Sequence, residues 1–336
     1  MYNPSDVGRK GSIFGLPYSI EESDVIIIPV HHDVTTSYSD GTANAPDLIL
    51  DVSTQLDLSI PNVRNPWEIK VSMHDAIINA SEDEIARSKA KNLIEALEAG
   101  KAIDLQEQAV VNDYCQKVHN QVEQHCEIFL EKEKIIGVVG GDHSSPLGLL
   151  RALSRRFDFG VLQIDAHMDL RDSYEGFHFS HASIMHNALK SDGINSLTQV
   201  GIRDYCEEEE VYIQNSSKAI NTFYDEVLFS ERESNETWLG QVTKIVESLP
   251  QNVYISFDID GLDPSHCPNT GTPVPGGLTY NQILVLLNQL VLSKKRIIGF
   301  DLCEVGNSTW DANVGARILY RLITSCGLTN NLLDLK

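Results

Sequence analysis

The sequence predicts a three-layer α/β fold, a parallel sheet held between two layers of helices. Three observations carry that expectation. Short apolar runs rich in Val and Ile recur along the 336 residues. Longer stretches with helical spacing separate them. No internal repeat or low-complexity linker breaks the alternation. Strands that alternate with helices build parallel sheets covered on both faces, with right-handed crossovers. A chain of this length buries a large core without disulfide staples. One domain is therefore expected over 1–336, with an N-terminal extension at 1–23 and a core at about 24–326.

In chain order, the strand candidates are 24–30, 134–139, 159–164, 198–202, 252–257 and 296–302. Several are unbroken runs of Val and Ile, the pattern of strands buried on both faces. The helix candidates between them are 82–99, 107–131, 146–156, 237–248, 280–292 and 312–325. The second spaces Val111, Tyr114, Val118, Val122 and Phe129 among charges, which reads as a helix with one buried face. In such sheets ligands bind beyond the carboxyl ends of the strands, so the chemistry is sought there.

Composition narrows the function. Lys and Arg total 26 against 48 Asp and Glu, a formal net charge of −22. Such a surface repels phosphate backbones, so no nucleic-acid partner is expected. It suits cationic small molecules. The six cysteines include no Cys-x-x-Cys pair, which argues against a zinc ribbon or a thioredoxin-type motif. Residues 1–19 lack the basic start and apolar run of a signal peptide. No apolar stretch approaches the roughly 20 residues that span a bilayer. A cytoplasmic protein with reduced thiols and no membrane partner is the expectation.

Three strand ends carry candidate chemistry. The first reads Gly140-Gly141-Asp142-His143-Ser144-Ser145, a sharp turn that presents an imidazole. A histidine beside glycines is by itself as readily structural. The second reads Asp165-Ala166-His167-Met168-Asp169. In extended chain, alternate residues share a side, so Asp165, His167 and Asp169 converge while Ala166 and Met168 point away. Unpaired carboxylates there would cost several kcal/mol of desolvation, which a divalent cation removes. The third spans 256–264, Ser-Phe-Asp-Ile-Asp-Gly-Leu-Asp-Pro, where Asp258 and Asp260 share a side. Together His143, Asp165, His167, Asp169, Asp258 and Asp260 are too many donors for one zinc and too rich in oxygen for a thiolate metal. Mixed carboxylate and imidazole ligation suits Mn(II), with Ni, Co or Fe able to use the same ligands. Two ions about 3.5–4 Å apart can bridge a water and yield hydroxide near neutral pH. The expected reaction is hydrolysis with no covalent enzyme intermediate.

These motifs resemble those of the ureohydrolase family: arginases, agmatinases, guanidino-acid hydrolases and formimidoylglutamase. GGDHS (140–144), DAHMD (165–169) and SFDIDGLDP (256–264) follow in order, and TGTPVPGG (270–277) looks like the family's Gly- and Pro-rich loop. The likeness runs from about 25 to 322. It implies an arginase-like αβα fold with a central, mainly parallel eight-stranded sheet. It implies two Mn2+ per chain and release of urea, or of formamide from a formimino substrate. By position, one ion would take His143, Asp165, Asp169 and Asp258. The other would take Asp165, His167, Asp258 and Asp260, with Asp165 and Asp258 bridging. His181, in the segment Phe179-Ser180-His181-Ala182-Ser183, would be the proton shuttle, with His178 as the fallback. Glu304, in Asp301-Leu302-Cys303-Glu304-Val305, would bind the guanidinium by a two-point contact. Chains of this family assemble as trimers or hexamers, so a homo-oligomer is expected.

The departures bear on the substrate. Arg171 stands where arginases usually place asparagine, which argues against arginine bound in their manner. Asp169-Leu170-Arg171 is similar to formimidoylglutamase, where an arginine would meet a substrate carboxylate. An ion pair with Asp172 or another acid is the plainer role for Arg171. The stretch Tyr174-Glu175-Gly176-Phe177 with its following histidine segment looks like an agmatinase-type branch. No proline follows Glu304, which loosens the expected geometry of its loop. The segment His31-His32-Asp33-Val34-Thr35-Thr36-Ser37 closes the first strand and is read as shaping the pocket. A third metal on His31 and His32 is not expected, because adjacent residues of extended chain point apart. The leading expectation is an agmatinase-type hydrolase, followed by formimidoylglutamase and then arginase. A zinc deacetylase on a related fold lacks this six-ligand set. A metal-stabilised binding protein without turnover is the non-enzymatic alternative.

Overall fold

The computed structural model describes residues 3–4, 7–36 and 41–336; Ser37 lies outside them. In chain order the strands are β1 (Val25–Val30), β2 (Val63–Arg64), β3 (Val71–Met73), β4 (Ile135–Gly140), β5 (Phe159–Ile164), β6 (Ile194–Ile202), β7 (Ala219–Tyr224), β8 (Asn252–Phe257), β9 (Arg296–Leu302) and β10 (Asp334–Leu335). The α-helices are α1 (Ala45–Ser53), α2 (Ala80–Glu98), α3 (Leu105–Leu130), α4 (Leu147–Ser154), α5 (Ile184–Ala188), α6 (Glu207–Asn215), α7 (Asp225–Glu233), α8 (Trp238–Glu247), α9 (Tyr280–Leu292) and α10 (Thr309–Thr329).

Eight strands form one sheet in the order β3-β1-β4-β9-β8-β5-β6-β7, and every pairing in it is parallel. β2 and β10 make a separate antiparallel ribbon. The strand runs expected from sequence all lie in the main sheet, at its centre and to either side. Their side chains are buried on both faces, as in Val-Ile-Ile-Ile-Pro-Val of β1. One face packs on α1, α8, α9 and α10 and the other on α3, α4 and α5, giving two apolar cores. Close packing fixes single residues: a Cβ on Gly137 of β4 would meet the Phe300 ring of β9 at 2.3 Å.

The long helix α3 begins at its Asp104 cap, whose carboxylate accepts from the Gln106 and Glu107 amides. Val111, Val118, Val122 and Phe129 are buried along it as the spacing requires, joined by Cys115, His119 and Cys126. α2 lies against α3, and with Val34 and Phe177 the two helices enclose a third, smaller core. No helix among the described residues is long and apolar enough to cross a membrane.

Candidate metal centre

β4, β9, β8 and β5 are neighbours, so their carboxyl ends deliver the three motifs and Glu304 to one place. β4 ends in paired glycines. A Cβ on Gly141 would lie 2.1 Å from the His32 carbonyl oxygen, so this turn requires glycine. Beyond it, His143 Nδ1 lies 2.9 Å from Asp169 Oδ2, 3.0 Å from Asp165 Oδ2 and 3.4 Å from Asp258 Oδ2. The other side of the ring is tied to the sheet. Its Nε2–H donates to Ser256 Oγ at 2.9 Å, and Ser256 donates to the buried Asp301 Oδ2 at 2.9 Å. A relay ending on a carboxylate keeps the proton on Nε2 and turns Nδ1 toward the acids.

The second imidazole sits across Asp165. His167 Nδ1 lies 3.0 Å from Asp260 Oδ2 and 3.6 Å from Asp165 Oδ1. Asp165 thus faces His143 with one oxygen and His167 with the other. His143, Asp165 and Asp258 form one group of converging donors, and Asp165, His167 and Asp260 form another. Two imidazoles among carboxylate oxygens match the donor preference of Mn(II) and its neighbours.

The electrostatics argue for cations in the same place. Burial, then repulsion from Asp260 and Asp165, pushes Asp258 well above the usual carboxylate range. Burial and Asp165 raise Asp169 to about 7. Burial works against Asp165 too, yet hydrogen bonds and charge from His143 and His167 hold it low. Burial likewise opposes the charged forms of both imidazoles, and the surrounding aspartates overcome it to raise them. So much negative charge in a dry site needs positive charge beside it. The residues fit a pair of divalent cations.

Glu304, just past the end of β9, is bonded to the turn that carries His143. Its backbone is left-handed, with φ of 60°. Its amide donates to the Gly141 carbonyl at 2.8 Å, and its Oε1 accepts from the His143 amide at 3.0 Å. Thr270, from the loop after the third motif, donates to the Glu304 carbonyl at 2.7 Å. These bonds hold the loop that lacks the family's proline. Glu304 Oε2 is buried and has no hydrogen-bond partner. Burial and the nearby Asp142 push this carboxyl well above its usual range.

A cleft of about 340 Å³ opens over the cluster, lined by His167, Asp169, Arg171, Tyr174, His181, Asp204, Tyr205, Glu209 and residues 272–274. His181 meets the Tyr174 ring edge-on, with centroids 6.0 Å apart. Burial, reinforced by the positive His167 and His143, pushes His181 down to about 4, so it is neutral near pH 7. His178 is exposed, does not line the cleft, and its amide donates to Asn112 Oδ1. Arg171 stacks over Tyr174 at 4.9 Å, and its Nε lies 3.9 Å from Glu209 Oε2. Asp172 turns instead to His186 and Lys190.

The model of the arginase family matches residues 23–327. The chain belongs to the arginase family. It is a ureohydrolase-type enzyme, a hydrolase of that family. It is 29% identical over 315 residues to an N(1)-aminopropylagmatine ureohydrolase of Synechocystis, a match covering 91% of this chain and 90% of the relative. It is 29% identical over 311 residues to an agmatinase of Escherichia coli, covering 90% and 88%. The fold is similar to that of proclavaminate amidino hydrolase from Streptomyces clavuligerus, with a TM-score of 0.73 at 22% identity over 96% of this chain and 99% of that one.

Two details of this arginase-family site differ from a reading by simple strand alternation. β5 ends at Ile164, and Asp169 takes a left-handed conformation with φ of 55°, so the second motif is not extended to its end. Ala166 and Met168 are nonetheless buried. Asp258 and Asp260 are joined through a short 3-10 turn at Ile259–Gly261, where Asp258 accepts from the Asp260 amide at 2.8 Å, and they face His143 and His167 respectively. Sequence reasoning also passed over Arg203, Asp204 and Glu209. Arg203 Nη2 donates to the carbonyls of Asp260, Val274 and Leu262, tying the third motif to the loop at 272–274. Asp204 faces His167 Nε2 at 3.9 Å. Both residues directly follow β6, and the rule that ligands gather at strand ends was the signal available for them.

Proposed function

We propose that the chain hydrolyses a guanidino compound with a cationic tail, releasing urea, in the agmatinase manner. The observation that carries the reading is Glu304 Oε2, a buried oxygen without a partner beside the six metal-type ligands. A guanidinium donates to a carboxylate in a planar two-point contact, which satisfies such an oxygen. The cleft wall adds the carboxylate of Asp204, which favours a positive tail.

Two divalent ions, when bound by His143, Asp165, Asp169, Asp258, His167 and Asp260, lower the pKa of a water and supply the nucleophile. Mn is the expected metal. The chain's own residues do the rest. Glu304 orients the guanidinium, with its central carbon toward the ligands. Water adds its oxygen to that carbon, the carbon–nitrogen bond to the tail breaks, and urea and a free amine result. His181, neutral and on the cleft wall, takes up a proton and passes it to the leaving nitrogen. A homo-oligomer, trimeric or hexameric, is part of the same proposal.

Arg171 supports a second reading. It is the one Lys or Arg lining the cleft among the described residues, and a formimino substrate with an acidic tail would meet it. A substrate panel separates the two. Mn-loaded protein is offered agmatine, N(1)-aminopropylagmatine, arginine, guanidinobutyrate and formimidoylglutamate, and urea and formamide are scored. We expect urea from a cationic-tailed guanidine with kcat/KM above about 10⁴ M⁻¹s⁻¹. Formamide from formimidoylglutamate alone establishes the second reading. Silence with Mn, Ni and Co overturns both.

A further inference from the structure

The His31-His32-Asp33 segment beyond β1 takes no part in the metal centre. His31 turns to α1, its Nε2 3.2 Å from Asp47 Oδ1. His32 and Asp33 are both received by α2. His32 Nδ1 lies 2.7 Å from Asp83 Oδ1, and Arg87 Nη2 lies 2.9 Å from Asp33 Oδ1. Asp83 and Arg87 are four residues apart and share a face of α2. The result is a crossed pair, acid on base and base on acid. His32, Asp83 and Asp33 are buried. Apolar residues would join a helix to a strand at less desolvation cost, so burying these charges calls for a reason beyond adhesion.

The neighbouring bonds supply one. The His32 carbonyl accepts from the Asp142 amide at 2.8 Å and abuts Gly141. Asp33 Oδ2 accepts from the amides of Gly41 at 2.8 Å and Ala43 at 3.1 Å. Ala43 Cα in turn lies 3.1 Å from where a Cβ on Gly141 would stand. The Gly141 carbonyl accepts from the Glu304 amide at 2.8 Å, and Glu304 accepts from the His143 amide at 3.0 Å. A continuous chain of bonds runs from α2 through the first strand end to Glu304 and His143.

We propose that Asp83 and Arg87 are positioning residues, fixing the Gly141 turn and through it Glu304 and His143, although no residue of α2 lines the cleft. Spatial continuity alone does not establish coupling, so the test measures the far end directly.

Amide hydrogen exchange is followed on the full-length, Mn-loaded protein and on Asp83→Asn, Arg87→Met and Arg87→Lys. Lys117→Met is the control, because the Lys117–Glu82 ion pair also joins α3 to α2 but at the surface. Asp83→Asn and Arg87→Met are expected to speed exchange at Asp142, His143 and Glu304 about tenfold. Residues 256–260 and the control stay at wild-type rates, and Arg87→Lys recovers part of the protection. On a turned-over guanidino substrate, kcat/KM falls about tenfold, mainly through KM, the size seen when outer-sphere partners are removed. Wild-type exchange at those amides, an equal rise at 256–260, or the same rise in Lys117→Met overturns the proposal. Should Asp83→Asn fail to fold, the partly exposed Arg87→Met decides alone. The kinetic arm rests on the guanidinium role of Glu304 given above. The exchange arm does not, so a protein inactive on guanidines leaves the positioning claim still testable.

Discussion

Asp165 is the residue on which both halves of the centre meet. Its two oxygens face different imidazoles, at 3.0 Å and 3.6 Å. Asp258, by contrast, is crowded by other acids and is raised by burial and by them. Both are expected to bridge. Asp165→Asn and Asp258→Asn should each lose most of the metal and nearly all activity. Elemental analysis that finds two ions per chain in either variant would falsify the bridging assignment. His181 has a different job and predicts a different outcome. It belongs to neither donor group, so His181→Asn should keep both ions while kcat falls by about 10²–10⁴. Loss of metal in that variant, or a drop below tenfold, removes the shuttle role.

At the scale of elements, α2 meets α3 with apolar side chains but meets the end of β1 with Asp83 and Arg87. The His32–Asp83 contact gives this a pH signature. Burial opposes protonation of His32, but the hydrogen bond and charge of Asp83 win, raising it well above the ordinary imidazole value. A raised imidazole stabilises the fold fully below its unfolded pKa of about 6.5. That contribution is lost as pH climbs through the raised value. The gap in Tm between wild type and His32→Gln should therefore be widest in mildly acidic solution and shrink on the alkaline side. A gap that is flat, or that grows with pH, shows that the pair is not ionic. Elements also divide by how plainly the sequence announces them. The six central runs were legible because Val and Ile buried on both faces leave no alternation to misread. β7 (Ala-Ile-Asn-Thr-Phe-Tyr) was not, since as an edge strand it mixes exposed and part-buried positions. β3 has three residues, and α6 opens with four glutamates and shows almost no apolar face. The Ser256–Asp301 relay was invisible because its partners are 45 residues apart and each looks like an ordinary strand residue.

Across the whole molecule, the arrangement of strands matters more than any one of them. The ligand-bearing strands are neighbours in space, and the order β4-β9-β8-β5 is not their order in sequence. The motifs were readable as short strings because each needs only its own strand end. Their meeting point was readable because parallel sheets place all such ends on one edge. The wall of the cleft was less so. It is built from segments far apart in the chain, such as Tyr174 and Val274, whose proximity no local pattern reveals. Arg171 illustrates the difference: its position beside the second motif was plain, while its approach to Glu209 and its stacking on the Tyr174 ring needed the fold.

The bond between His143 and Glu304 joins residues 161 positions apart. During synthesis, the amino-terminal half of the centre therefore leaves the ribosome long before its partner exists. A nascent chain carrying only the first two motifs offers an incomplete claw, with fewer carboxylates and no fixed geometry, to whichever ion is abundant nearby. β9 supplies none of the six donors, but it lies between β4 and β8, so His143 meets the donors of β5 and β8 only when β9 is in place. Any pair of ions that needs all six donors would therefore be held only once the chain is nearly complete.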